Sequence, residues 1–124
     1  TAPPDALCAA ACAAIDVVRE EPARRVDLLA NAQPLRVALA AQGWSIGRAS
    51  TQIVPIEIGD AAQTMRLAER LRERGLFVPG IRPPTVPLGR SLLRISLTSG
   101  HTREHIAVLV GALAELRSTV DDPA

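Results

Sequence analysis

The chain has no lysine; its fourteen basic residues are all arginine. Arginine cannot serve as an amine nucleophile, so Schiff-base chemistry cannot start from a side chain of this sequence. Aromatic residues make up only 2 % of it, which leaves a core to be built from Leu, Val, Ile and Ala. Two cysteines in 124 residues are too few for a disulfide framework and point to an intracellular, cytoplasmic protein. A formal charge of +1 provides no field for gathering nucleic acid or an anionic membrane. No apolar run approaches the roughly 18–20 residues of a spanning helix. The start at Thr1 has no basic stretch before an apolar one and does not read as a signal peptide. Gly43, Gly47, Gly59 and Gly75 are scattered turn glycines, with no phosphate-cradling loop among them.

What is present is one domain's worth of chain, 48 % apolar, with clear periodicities. Pro3-Pro4 is placed to start a helix, in which Cys8, Ala11, Cys12, Ile15 and Val18 share a stripe. Glu20-Glu21-Pro22 ends it and begins a second helix with Val26, Leu29 and Ala30 inward. Pro34 is expected to kink or restart that helix, which continues through Leu35 and Leu39 to a stop at Gly43. Thr51 to Ile58 reads as a strand with Val54, Ile56 and Ile58 on one face; Pro55 inside it argues for an edge strand or a bulge. Gly59-Asp60 is a turn and an N-cap. Ala61, Met65, Ala68 and Leu71, flanked by Leu67, form the next helical stripe, which Gly75 ends. Leu76 to Ile81 and Leu92 to Leu97 read as strands. Ile106, Leu109, Val110, Leu113 and Leu116 line the inner face of a last helix. The order helix, helix, strand, helix, strand, strand, helix predicts an α+β fold. A small, mainly antiparallel three-stranded sheet carries helices on one face.

The richest stretch runs from Ile81 to Thr102. Ile-Arg-Pro-Pro-Thr-Val-Pro places three prolines in five residues, which excludes helix and central strand and makes a stiff loop. In the strand that follows, Leu93, Ile95 and Leu97 share one face, and Leu92, Arg94 and Ser96 the other. A guanidinium among apolar neighbours wants a carboxylate, and its planar fork suits two parallel hydrogen bonds. From the residues alone, Arg94 can equally be an internal ion pair or a solvated side chain. Thr85, held between Pro84 and Val86-Pro87, is either a loop hydroxyl bonded to its own turn or a group that meets a ligand at small ordering cost.

This block, Arg82-Pro83-Pro84-Thr85-Val86-Pro87 followed by Leu93-Arg94-Ile95 and Ser99-Gly100-His101-Thr102, resembles the C-terminal domain of the α-oxoamine synthases, which use pyridoxal 5'-phosphate (PLP). The resemblance covers nearly the whole chain. It implies the α+β layout above, with residues 1–20 as the end of a large domain and the linking helix. Residues 21–118 are then the small domain and 119–124 a frayed tail. It implies that Arg94 holds the carboxylate of the amino-acid substrate and that Thr85 lies against that substrate. Arg82 is left to pin the loop or to face a thioester. The double-proline form is most like the branch that condenses L-alanine with a pimeloyl thioester, on CoA or acyl carrier protein, in biotin synthesis. Sister branches that use glycine (2-amino-3-ketobutyrate CoA ligase, 5-aminolevulinate synthase) are the alternative within the family. Without lysine, the chain is implied to be an inactive fragment of a homodimeric enzyme. It has no catalytic residue and binds no cofactor itself; the missing N-terminal cofactor domain carries both. Outside the family, a free-standing α+β module for a small carboxylate or a partner protein also fits.

The remaining polar residues are given bland roles. His101 reads as a cap or packed turn residue and His105 as a surface residue. Cys8 and Cys12 read as small buried thiols, with no further ligands for a metal. Arg66, Arg70, Arg72 and Arg74 are interleaved with Glu69 and Glu73, with no aromatic for stacking bases, and read as a solvated helix face.

Overall fold

A computed structural model of the chain describes residues 2–48 and 50–119. Its elements follow the predicted order: α1 (Asp5–Glu20), α2 (Ala23–Ala41), β1 (Ile53–Gly59), α3 (Ala61–Glu73), β2 (Gly80–Ile81), β3 (Ser91–Ser96) and α4 (Arg103–Arg117). The sheet order is β1-β3-β2, and β3 is antiparallel to both neighbours. β1 and β2 are therefore parallel to each other, joined through α3, with β3 inserted between them. This split β-α-β arrangement needs the long crossover that α3 supplies.

The sheet's inner face carries Val54, Ile56, Leu93, Ile95 and Leu97, all buried, against Leu35 and Leu39 of α2, Leu67 and Leu71 of α3, and Ile106, Leu109, Leu113 and Leu116 of α4. Burying each such side chain stabilises the fold by about 1.5–3 kcal/mol before entropy is set against it. Pro55 does lie on an edge strand. α2 and α3 both stop at a left-handed glycine. Gly43 (φ 80°) lets Trp44 N–H reach the Leu39 carbonyl at 3.1 Å, and Gly75 (φ 77°) lets Leu76 N–H reach that of Leu71 at 2.9 Å. The buried Trp44 then ties α2 to α4. Its indole N–H donates to Gln42 Oε1 at 3.1 Å, Gln42 Nε2 donates to the Val110 carbonyl at 3.0 Å, and the Arg117 guanidinium lies 5.2 Å from its ring centre. Asp60 caps α3 through Gln63 N–H at 2.7 Å, as its place after Gly59 predicts.

Five expectations are corrected. The helix does not restart at Pro34: α2 is one helix from Ala23 to Ala41, with Ala32, Leu35 and Leu39 fully buried on either side and Pro34 facing solvent. Its first turns are open: Val26 is 67 % exposed and Leu29 lies outside the core. The α3 stripe is Thr64, Leu67 and Leu71, whereas Met65 is 42 % exposed. Thr64 can be buried because its hydroxyl donates to the Asp60 carbonyl at 2.6 Å. β2 is two residues, not six: Pro79 has no N–H to continue the ladder, so the segment before it leaves the sheet. Finally, Cys8 and Cys12 are exposed, since no residue of α1 is buried. Of the tail expected to fray, Thr119 donates through its hydroxyl to the Leu116 carbonyl at 2.7 Å; residues 120–124 lie outside the described residues.

Candidate functional site

The proline loop between β2 and β3 is built from two short turns. Thr85 N–H donates to the Arg82 carbonyl at 3.1 Å, and Arg90 N–H to the Pro87 carbonyl at 3.1 Å. The Pro83–Pro84 peptide bond is cis, and Gly89 has φ 74°. The loop's far end is tied to β1 by Arg90, whose guanidinium lies 3.3 Å from Glu57. Gly59 (φ 90°) runs close to the loop, where a Cβ would lie 3.4 Å from the Gly89 carbonyl oxygen. The side chains of Arg82 and Thr85 both face solvent.

Arg94 sits in mid-β3, opposite Pro55 of β1, and its N–H donates to the Pro79 carbonyl at 3.0 Å. Residues directly opposite share a face, so the exposed Arg94 side chain rises beside Pro55 on the outer face of the sheet. Neither proline side chain has a polar atom to offer it. The ion pairs of the described residues form elsewhere, as Arg24–Glu21, Arg72–Glu69, Arg74–Glu115 and Arg90–Glu57. The Arg94 guanidinium makes no hydrogen bond or ion pair with any described residue. The internal ion pair left open by the sequence is therefore not formed among the described residues.

Where Pro79 ends the ladder, β3 and the segment after α3 diverge, and a cleft of about 660 Å³ opens beside Arg94. Phe77, Val78 and Val108 are among its apolar walls, and Phe77 is 83 % exposed. Arg94 lines this cleft; Arg82 and Thr85 do not. The structure thus groups Arg82 with Thr85 in one turn and places Arg94 among the residues that line a separate concavity.

His101 and His105 line the same cleft, and the sequence reading gave neither a role there. Thr98 N–H donates to His101 Nδ1 at 2.9 Å. Thr102 N–H donates to His105 Nδ1 at 3.3 Å, while the Thr102 hydroxyl accepts from His105 N–H at 3.3 Å, closing a capping box on α4. The two rings meet edge to face with centres 6.2 Å apart. The available signal was the spacing of four between two histidines, each three residues after a threonine. The resolved charge shifts lie away from this site. Hydrogen bonding to Arg24 and Arg72 holds the carboxyls of Glu21 and Glu69 below their ordinary range, and raises the two arginines in return.

Comparison with known proteins places this geometry. The model of the family described as aminotransferase class I and II matches residues 1–113. The chain is 47 % identical over 115 residues to the 8-amino-7-oxononanoate synthase of Sodalis glossinidius, covering 93 % of this chain and 30 % of that protein. It is 43 % identical over 116 residues to that of Anaeromyxobacter dehalogenans, covering 94 % and 29 %. The chain thus spans about three-tenths of the length of the curated relatives it matches. Among solved structures, serine palmitoyltransferase of Sphingomonas wittichii superposes with a TM-score of 0.73 at 31 % identity, over 78 % of this chain and 25 % of that one. A high-resolution structure of SPT with PLP gives 0.75 at 28 % identity, over 81 % and 26 %. The 8-amino-7-oxononanoate synthase of Francisella tularensis gives 0.79 at 22 % identity over 96 % of this chain and 35 % of that one, a likeness of fold.

Proposed function

We propose a function from one premise: the chain belongs to the aminotransferase class I and II family. On this reading it is the C-terminal part of an 8-amino-7-oxononanoate synthase. The intact enzyme condenses L-alanine with a pimeloyl thioester, on CoA or acyl carrier protein, and releases carbon dioxide and the thiol. Residues 1–20 are the end of the large domain and the linking helix, and residues 21–118 are the small domain. The apolar face that α1 leaves open is then the surface presented to the cofactor domain. The intact protein is a cytoplasmic homodimer.

PLP supplies the electron sink when bound to the intact enzyme. The residues of this chain do not build its site, because there is no lysine to hold it. What they supply is orientation. Arg94 directs two guanidinium N–H groups at the carboxylate of L-alanine, a charge-assisted pair that fixes the amino acid's rotation as well as its position. Thr85, on a loop stiffened by three prolines, lies against the same substrate; Arg82 pins the loop or faces the thioester. Preset geometry of this kind lowers a barrier by several kcal/mol, roughly, without any bond being made by the residues that set it.

The observation that carries the reading is the Arg94 guanidinium on the outer face of the sheet beside Pro55, with no hydrogen-bond or ion-pair partner among the described residues. It is supported by relatives at 42–47 % identity that are 8-amino-7-oxononanoate synthases. The test is turnover by the intact enzyme. With pimeloyl thioester, L-alanine is expected to release carbon dioxide and yield 8-amino-7-oxononanoate faster than glycine yields its homologue. A preference for glycine would move the protein to a sister synthase.

A further inference from the structure

Arg94 is one member of a row that crosses the sheet. Ile46 bridges Ile56 in antiparallel sense, and Glu57 N–H donates to the Ser45 carbonyl at 2.8 Å. The segment after Trp44 therefore runs along the edge of β1 that faces away from β3, and it brings Gly47 opposite Pro55. Pro55 in turn lies opposite Arg94. Residues that stand opposite each other share a face, so positions 47, 55 and 94 line up on the outer face of the sheet. The Arg94 N–H donates to the Pro79 carbonyl and so points away from β1. That makes Pro55 and Arg94 a non-hydrogen-bonded pair, the kind whose Cα atoms approach to about 4.5 Å and whose side chains lie closest. The wall beside the Arg94 stem is thus a pyrrolidine ring, which cannot turn aside as an open side chain can.

The third position of the row carries no side chain. Gly47 is not among the glycines with positive φ, so its backbone does not call for glycine. What excludes a side chain is space: a Cβ there would stand 3.1 Å from Cγ of Pro55. Carbon atoms in contact settle at roughly 3.5–4.0 Å. A side chain at 47 would therefore press on the ring from the side away from β3, and the next residue along the row is Arg94.

We infer that Gly47 is a positioning residue for the amino-acid clamp: the bare position at 47 lets the Pro55 ring lie clear of Arg94, and the ring sets the direction in which the guanidinium leaves the sheet. This rests on the proposed function, which gives Arg94 the substrate carboxylate. Two parallel hydrogen bonds demand alignment of both planes, so a small displacement at the base of the arginine is magnified at its fork, several bonds out. Gly47 touches neither substrate nor reacting atoms; its effect passes through Pro55.

The test is a double-variant cycle in the intact enzyme: Gly47→Ala, Pro55→Ala and the two together. A misplacement of about 1 Å costs on the order of 100-fold, and the one caused here is smaller. Gly47→Ala is therefore expected to raise KM for L-alanine about three- to tenfold and to leave KM for the pimeloyl thioester within about twofold. Pro55→Ala removes the Cγ that a side chain at 47 would meet. Adding Gly47→Ala to it is expected to change KM for L-alanine by less than about 1.5-fold. An unchanged KM for L-alanine in Gly47→Ala would overturn the inference. So would the same rise in the Pro55→Ala background, or an equal rise for both substrates, because each marks a general loss of structure. Should Gly47→Ala fail to fold, Pro55→Ala decides alone. Loss of the ring is expected to raise KM for L-alanine about twofold or more with the thioester KM unmoved, and an unmoved KM for L-alanine overturns the inference. Calorimetry supplies a readout apart from turnover: Kd for L-alanine is expected to rise in Gly47→Ala by a similar factor, and an unaltered Kd contradicts the assignment. If Arg94→Ala raises KM for L-alanine and Gly47→Ala does not, the role of Gly47 falls and the proposed function stands. If Arg94→Ala leaves it unmoved, the clamp itself falls. If glycine is the better substrate, the choice of synthase falls, and the same cycle run with glycine still decides the role of Gly47.

Discussion

Helices α1 and α4 are 16 and 15 residues long, and each carries an apolar stripe at helical spacing. α4 buries Ile106, Leu109, Ala112, Leu113 and Leu116, whereas α1 buries nothing and leaves Leu7, Ile15 and Val18 open. The pattern within a helix identifies the face that seeks cover. What covers it depends on where the rest of the chain runs. α4 lies over the sheet and α2; in the described chain α1 has no such neighbour. The same contrast separates two arginines of one segment: Arg90 is held by Glu57, and Arg94 is held by nothing described.

The comparison of helices can be broken by truncating one residue in each. Leu113→Ala removes a fully buried side chain of α4 and is expected to cost about 2–5 kcal/mol in urea unfolding of the 124-residue chain. Ile15→Ala in α1 is expected to stay within about 0.5 kcal/mol. A comparable loss at both sites would mean that α1 is covered in solution. Smaller effects sharpen the picture of the elements around the site. Asp60→Ala removes the α3 cap and is expected to cost about 1 kcal/mol by the same measurement. Ser91 begins β3 with a fully buried hydroxyl that has no hydrogen-bond partner among the described residues. Ser91→Ala is expected to stabilise the chain by about 1 kcal/mol, because an unsatisfied polar group is removed with little change of shape. A loss of stability there would show that the hydroxyl has a partner.

The smallest expected effect is electrostatic. Hydrogen bonding to Arg72 lowers the Glu69 carboxyl in the folded chain, so the pair's contribution is complete above the ordinary carboxylate range. It fades as pH falls through the lower folded value. Glu69→Gln is expected to flatten the acid limb of a stability–pH curve slightly and to leave neutral pH almost untouched, because both partners are solvent-exposed. A large change at neutral pH would contradict that.

Much of the fold was legible because its signals are local. Gly43 and Gly75 stop helices by backbone conformation alone, Asp60 caps by adjacency, and the alternation around Arg94 needs only a strand. The unread parts depend on partners distant in sequence. Thr64 displaces Met65 from the α3 core face because its hydroxyl finds the Asp60 carbonyl and its methyl lies toward Gly80. The thiols of α1 were assigned to a core that does not reach them. Arg94 was readable as a lone cation on a strand, but the cleft beside it was not. That cleft depends on Pro79 ending β2 early and on α4 bringing His101 and His105 to the gap, a meeting of three segments that no single periodicity records.

The central claim is that the cation at position 94 is free in order to hold an amino acid's carboxylate. The most direct measurement is KM for L-alanine in the intact enzyme carrying Arg94→Ala, beside the same enzyme carrying Arg90→Ala. The account predicts a rise of roughly 10- to 100-fold for the first, from the loss of charge-assisted hydrogen bonds, and little change for the second. An unaltered KM for L-alanine in Arg94→Ala would contradict it.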